Sequence, residues 1–238
     1  MDRSYFEKML EDSQISLSDR QFMQFDRFYE LLIEWNKVMN LTGITEYKEV
    51  VLKHYIDSII VTKYFDFSKV SRIIDVGTGA GFPGIPLKIL LPDVQFDLLD
   101  SLNKRINFLN AVTQECNLSG IKAVHARAED YARNKENRES YDLCVSRAVS
   151  NLSTLSEYCL PFVSVGGHFI SYKAGNMGDE LKDAQNAIKL LGGNISEVVN
   201  ITLPNSDIER TFVIIEKIKN TSGKFPRKSG IPAKEPLK

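Results

Sequence analysis

Four glycines, Gly77, Gly79, Gly81 and Gly84, fall within the stretch RIIDVGTGAGFPGIPL, Arg72 to Leu87, between an apolar run ending at Val76 and another that opens after two prolines. Gly77, Gly79 and Gly81 directly follow a strand-like run and precede a helix that Pro83 can start. That placement lets backbone N–H groups and a helix N-terminus converge on a ligand with no side chain in the way. Read from Gly79, the same residues spell G-x-G-x-x-G, which by itself is weak evidence for a dinucleotide. Two features point elsewhere. In a dinucleotide fold the first glycine of the pattern ends the strand, whereas Gly79 comes three residues after Val76. Asp75 also places a carboxylate at the strand mouth, which repels a pyrophosphate and suits a ligand carrying a sulfonium and an ammonium. S-adenosylmethionine is such a ligand. Asp100 ends the next strand, 25 positions beyond Asp75, where it can accept both hydroxyls of a ribose. Capping the helix that opens at Leu102 is its other use, and one residue can do both. Ala128-Glu129-Asp130 follows the third strand, suited to lie along adenine or to serve as ordinary acids in a helix's first turn.

The elements that must position these residues can be read from apolar spacing. The first sixty-odd residues read as helical. Leu17 and Ser18 stand before Gln21 and Phe22 as a hydrophobic staple and capping box require. Phe25, Phe28, Leu32, Trp35 and Met39 then follow at spacings of three and four, a stripe that docks on a core. A second helical pattern, Val50 to Phe65, carries His54 and Asp57 on one face, read as a capped or solvated pair. From Arg72, strand-like runs alternate with helical segments through GHFISYK, which predicts a parallel sheet with right-handed crossovers. ISEVVNITL and TFVIIEKI have only a loop around Pro204 between them and are expected to pair antiparallel. The expected organisation is a helical extension packed on the main domain (1–66), an α/β domain (67–219) and a basic C-terminal tail (220–238).

Composition limits the function classes. Formal net charge is −1, so a polyanion cannot be held by the overall field and needs a local basic patch. Residues 217–238 supply one: Lys217, Lys219, Lys224, Arg227, Lys228, Lys234 and Lys238 against Glu235 alone, with Pro226, Pro232 and Pro236 keeping the segment extended. The sequence starts with neither the basic residues nor the apolar run of a signal peptide, no membrane-length apolar run is present, and a cytoplasmic protein is expected. Cys116, Cys144 and Cys159 read as buried thiols. His125 and His168 read as packing residues, and three scattered histidines without an acidic cluster predict no metal site.

DVGTGAGFPG, LLDSLNKR, ARAED, SRAV and PRKSGIPAKEPL, with EWNKVMNLTGIT near the N-terminus, together resemble the bacterial small-subunit rRNA methyltransferase G family, also called glucose-inhibited division protein B. The resemblance spans nearly the whole chain. It implies a class I S-adenosylmethionine-dependent methyltransferase fold, Rossmann-like and mostly parallel with an antiparallel last strand. It also implies methyl transfer to N7 of a guanine in the decoding region of 16S rRNA, alone or in a small ribosomal subunit particle. Cofactor contacts carried over by motif are Gly77, Phe82, Ala128, Glu129 and Arg147, beside Asp75, Gly79, Gly81 and Asp100 from the loop argument. Guanine N7 presents a lone pair, so no base need remove a proton and positioning dominates. Arg147 sits where open sheets bind ligands, able to clamp a substrate phosphate, guanine O6 or the cofactor's carboxylate, and is the catalytic candidate. Cys144, inside its strand, lacks an activating partner for covalent chemistry. Lys173, Lys224, Arg227, Lys228 and Lys234 are the expected RNA contacts. A monomer is expected. Two competing readings are a noncatalytic RNA-binding or ribosome-assembly protein on the same fold and, from the glycine pattern, an NAD-dependent oxidoreductase.

Overall fold

The computed structural model describes residues 2–148, 150–175 and 177–238, so that Met1, Asn176 and Val149, the last residue of SRAV, lie outside the described residues. Helix α1 (Arg3–Asp12) leads into α2 (Asp19–Met39). The start of α2 is the anticipated capping box: Ser18 Oγ accepts from the Gln21 N–H at 3.3 Å, and Gln21 Oε1 accepts from the Ser18 N–H at 2.8 Å. Phe25, Phe28 and Leu32 of the stripe are fully buried, and Trp35 and Met39 pack on the same cluster. The Phe28 ring meets Tyr55, Phe82 and Phe108, so the N-terminal helices and one face of the sheet share a single core. Truncating Phe28 to Ala costs about 3–5 kcal/mol.

The segment expected as one helix over 50–65 is irregular. A turn of helix α3 (Tyr47–Val50) passes into a π-helical stretch, Val51–Ile56, then α4 (Asp57–Ile59) and a 3-10 turn, Ile60–Lys63. Apolar spacing does not disclose this, because one wider turn still leaves Val51, Tyr55, Ile56 and Ile59 in the core.

The sheet domain then runs β1 (Arg72–Val76), α5 (Gly84–Leu90), β2 (Gln95–Asp100), α6 (Asn103–Glu115), β3 (Ile121–His125) and α7 (Ala128–Tyr131). It continues through β4 (Tyr141–Ser146), α8 (Leu152–Cys159), β5 (Val163–Ala174), α9 (Gly178–Leu190), β6 (Gly193–Thr202) and β7 (Glu209–Lys217). The strands form one 7-stranded sheet ordered β3-β2-β1-β4-β5-β7-β6. Strands β1 to β5 pair in parallel, and β7 inserts antiparallel between β5 and β6. Strand order reverses between β1 and β4, which opens a crevice at their carboxyl ends, where such sheets take ligands.

The C-terminal segment differs from expectation: it is a strap packed on the fold. Arg133 and Arg138 donate to the carbonyls of Pro226 and Phe225, at 2.7 Å and 2.9 Å. Arg227 directs Nε and Nη2 onto the buried Glu157 at 2.9 Å and 2.7 Å, and a short helix α10 (Ile231–Lys234) follows. Lys217, counted from sequence with the basic tail, is wholly buried, its Nζ donating to Leu160 O and Val163 O; burial pushes its ammonium down to about 8.

Candidate functional site

The glycine loop uses its N–H groups internally. Gly77 and Thr78 donate to Leu99 O, Gly81 donates to Thr78 O, and Gly79 donates to Asp100 Oδ2 at 3.0 Å. The start of α5 is also taken, because the Gly84 N–H donates to Asp75 Oδ2 at 2.8 Å. The converging amides expected from the sequence are therefore not offered to a ligand, and Asp75 fills the helix end they were to form. Gly81 and Gly84 answer packing: a Cβ would lie 2.4 Å from Ile85 Cδ1 at the first and 2.3 Å from Leu98 Cδ2 at the second. Gly77 is different. It shares a positive φ, +74°, with Gly81, but a Cβ there would meet no close neighbour and would face Ala148 Cβ at 3.6 Å across the crevice.

That crevice is a cleft of about 440 Å³, lined by Gly77, Asp100, Ala128 and Glu129 among the expected residues, with Arg105, Arg127, Ala148 and Tyr158. Asp75, Gly79, Gly81, Phe82 and Arg147 are not in its lining. Asp75 lies beneath the loop, its Oδ1 and the Thr78 Oγ1 having no partner in hydrogen-bond geometry among the described residues. Burial pushes its carboxyl up to about 7, against the opposing pull of the Thr78 hydroxyl, the Gly84 N–H and Arg147. Asp100, 4% exposed, accepts from Gly79 N and Arg105 Nη1 through Oδ2 and from Leu102 N through Oδ1. It pins the loop and holds the Leu102 N–H just ahead of α6, whose first turn it does not cap, so accepting two further hydroxyls requires it to release Arg105. Glu129 Oε1 accepts from the Gly230 N–H at 2.9 Å, and Gly230 and Ala233 of the strap close the cleft's far wall. Nothing local in the sequence announces that wall.

A second cavity of about 520 Å³ adjoins the cleft and shares Ala148 with it. Its polar lining is Lys53, His54, Asp57, Arg147, Lys173, Glu180 and Arg210. Arg147 donates from Nη1 to Asp57 Oδ2 at 3.0 Å and to Lys53 O at 3.2 Å, while its guanidinium lies over the Phe82 ring, 5.1 Å from the centroid. Phe82 in turn stacks on His54, so it supports this cavity rather than the cleft. Arg147 Nη2 sits 3.3 Å from His54 Nδ1, and the Thr42 hydroxyl holds the other ring nitrogen at 2.9 Å. Burial and the Arg147 cation push the imidazole down to about 3, so it is neutral at physiological pH. His54 and Asp57 do not pair with each other; both serve Arg147.

Of the expected RNA contacts, Lys224, Lys228 and Lys234 are exposed on the strap. Lys173 is buried, donating to Ser150 O and to Glu180 Oε1 at 2.8 Å, and Arg227 is committed to Glu157. These two are corrected to structural ion pairs, since a guanidinium or ammonium already matched with a buried acid has little left for a phosphate. The sequence showed His54 and Asp57 only as a capped or solvated pair and gave no sign of Arg210, whose partner Asp57 lies 153 residues away, or of Glu157, which anchors the strap. Among the described residues no group of three or more His, Cys, Asp or Glu is placed to hold a metal, and no helix is long and apolar enough to cross a membrane.

The cleft fits the cofactor that the loop argument names. Its volume is in the range of small-molecule sites, its mouth is a glycine at positive φ, and two buried carboxylates flank it for hydroxyl and amino groups. Comparisons with known proteins agree. Residues 21–210 match the family described as rRNA small subunit methyltransferase G. The chain is 48% identical over 237 residues to the ribosomal RNA small subunit methyltransferase G of Exiguobacterium sibiricum, covering 100% of both. It is 51% identical over 226 residues to that of Alkaliphilus oremlandii, covering 94% of each. Among solved structures it resembles TrmN from Thermus thermophilus, with TM-score 0.53, 15% identity, 71% of this chain and 53% of that one. It also resembles M. jannaschii TYW2 in complex with AdoMet, with TM-score 0.51, 13% identity, 68% of this chain and 77% of that one. At such identities the structures bear on the fold alone.

Proposed function

This chain belongs to the rRNA small subunit methyltransferase G family, a family of S-adenosylmethionine-dependent enzymes, and we propose that it methylates N7 of a guanine in the decoding region of 16S rRNA. When bound, S-adenosylmethionine supplies an electrophilic methyl group on a sulfonium. Gly77, Asp100, Ala128 and Glu129 would hold it in the cleft, with the Glu129 oxygen not used by Gly230 free for an amino group and Gly230 and Ala233 closing the far wall. Asp75 acts from beneath, fixing the loop through Gly84.

The observation that carries the reading is the meeting of two cavities at Ala148, one flanked by carboxylates and one lined by cations in which, among the described residues, both acids are paired. Asp57 is held by two arginines, and His54 is too weak a base at about 3 to take a proton at neutral pH. Such a site suits an acceptor atom with a ready lone pair, as guanine N7 is, with Arg147 beside the cleft to hold the incoming RNA. Lys224, Lys228 and Lys234 are exposed on the strap and would follow the RNA backbone. A monomer acting in the cytoplasm, where an rRNA or small-subunit substrate is found, completes this reading.

The test is methyl transfer from isotopically labelled cofactor to 16S rRNA and to small subunits, followed by nucleoside chromatography. Label in 7-methylguanosine alone is expected. Label in another nucleoside would refute the N7 reading, and no transfer to either substrate would refute the activity.

A further inference from the structure

The second cavity carries more positive charge and more hydrogen-bond donors than its own acids use. Lys53 pairs with Glu49 and Lys173 with Glu180. Arg147 and Arg210 share one carboxylate: Asp57, its side chain 2% exposed, accepts from Arg147 Nη1 at 3.0 Å through Oδ2 and from Arg210 Nε at 2.8 Å through Oδ1. One of the two guanidinium charges is therefore left without a counter-charge. Each guanidinium has five N–H groups. Arg147 spends two on Asp57 and Lys53 O, with a third beside His54 Nδ1, and Arg210 spends two, on Asp57 and Glu209 O, among the described residues. At least five N–H groups remain, on side chains only 18% and 19% exposed that line a single cavity. Donors left over in one cavity can engage a ligand that brings acceptor oxygens and negative charge.

The two arginines reach this place from opposite sides. Arg147 follows β4, and Arg210 lies on β7 opposite Ala174 of β5. Asp57 comes from the N-terminal helices, immediately after the π-helical stretch that carries Lys53 and His54. A widened helical turn of this kind is a frequent mark of functional sites. The N-terminal helices thus supply the anchor that sets two cations of the sheet domain side by side.

We propose that Arg147 and Arg210, set on Asp57, form a clamp for a phosphodiester group of the RNA next to the target nucleotide. A phosphodiester supplies one negative charge and acceptor oxygens for planar, paired donors, which the shared carboxylate leaves uncommitted. Arg210 is then a substrate-binding residue and Asp57 a positioning residue that acts through both arginines. The clamp rests on the family's use of RNA as substrate and not on which atom is methylated.

The test measures binding of the full-length protein to the shortest 16S rRNA segment that retains wild-type affinity, using RNAs that each carry one neutral methylphosphonate. One methylphosphonate position is expected to weaken the wild type by about tenfold or more and to leave Arg210→Ala nearly unaffected. Arg210→Ala should also lower the slope of log affinity against log salt by about 0.7–0.9, the share of a single phosphate. Asp57→Asn should raise KM for RNA while S-adenosylmethionine affinity stays at the wild-type value. Arg210→Lys should restore the salt slope without restoring full affinity, because the paired donors are absent. Equal methylphosphonate effects in wild type and Arg210→Ala would overturn the proposal. So would loss of cofactor affinity in Arg210→Ala, which would assign the clamp to the cofactor's carboxylate.

Discussion

Replacing Arg227 with alanine tests whether the C-terminal strap is part of the cofactor site. The Glu157 side chain is 1% exposed and accepts from Arg227 Nε, Nη2 and backbone N–H. Removing the guanidinium strands a buried carboxylate, at a cost of about 3–5 kcal/mol when the surroundings cannot adapt. Here they can adapt, because undocking the strap lets water reach Glu157. The loss therefore falls first on the strap, whose remaining anchors include the Arg133 and Arg138 bonds to Pro226 O and Phe225 O, the Gly230 bond to Glu129, the Ser229 bond to Asp130 and the Thr154 bond to Pro232 O. Once open, Gly230 and Ala233 no longer wall the cleft. Each 1.4 kcal/mol by which opening comes to be favoured weakens apparent cofactor affinity about tenfold. Calorimetric titration with S-adenosylmethionine should show at least about a tenfold loss, with faster proteolysis near Gly223. Cofactor affinity at the wild-type value in a protein whose strap has become protease-sensitive would refute the reasoning, since the wall would then be dispensable.

Other outcomes follow from the same geometry. Asp100→Ala removes the acceptor for Gly79 N, Leu102 N and Arg105, and should weaken cofactor binding by about 1.5–3 kcal/mol per charge-assisted bond removed, read by titration. The buried Asp75 keeps its proton to about pH 7 when folded and ionises near 3.8 when unfolded. The folded state binds the extra proton in that window, so this residue's contribution to stability falls as pH rises from about 4 to about 7, by up to about 4 kcal/mol, and is flat above. Denaturant titrations of Asp75→Asn should gain on the wild type across that range, and parallel curves would remove the effect. Arg147→Lys should cut kcat/KM for RNA methylation about tenfold or more while cofactor affinity holds, because the lysine cannot keep the Asp57, Lys53 and His54 contacts together.

The parts of the fold legible in the sequence are those with local signatures. Ser18 and Gln21 announce the start of α2 because a capping box is made within four residues. The strand runs and the short loop at Pro204 give the sheet its parallel order and its antiparallel β7. Asp100 and Glu129 reach the cleft because strand ends in a parallel sheet gather on one edge. What escaped depends on distant partners. Arg227 meets Glu157 seventy residues away, and Arg210 meets Asp57 at a separation of 153, which no periodicity encodes. A basic, proline-punctuated composition reads as an extended tail, yet backbone carbonyls of that segment are acceptors for Arg133 and Arg138, and carbonyls leave no trace in composition. Glycine also misleads when read for ligands alone, as Gly81 and Gly84 make room for Ile85, Leu98 and Asp75.

The most direct test of the central claim, that a cofactor cleft and an acceptor cavity meet at Ala148, is a crystal structure of the protein with S-adenosylhomocysteine. The account predicts electron density between Gly77, Asp100, Glu129 and Gly230, with the sulfur end toward Ala148 and the cavity that holds Arg147. Density in the cavity of Arg147 and Arg210 itself, or in the depression between Gln21, Lys88 and Ser119, would contradict it.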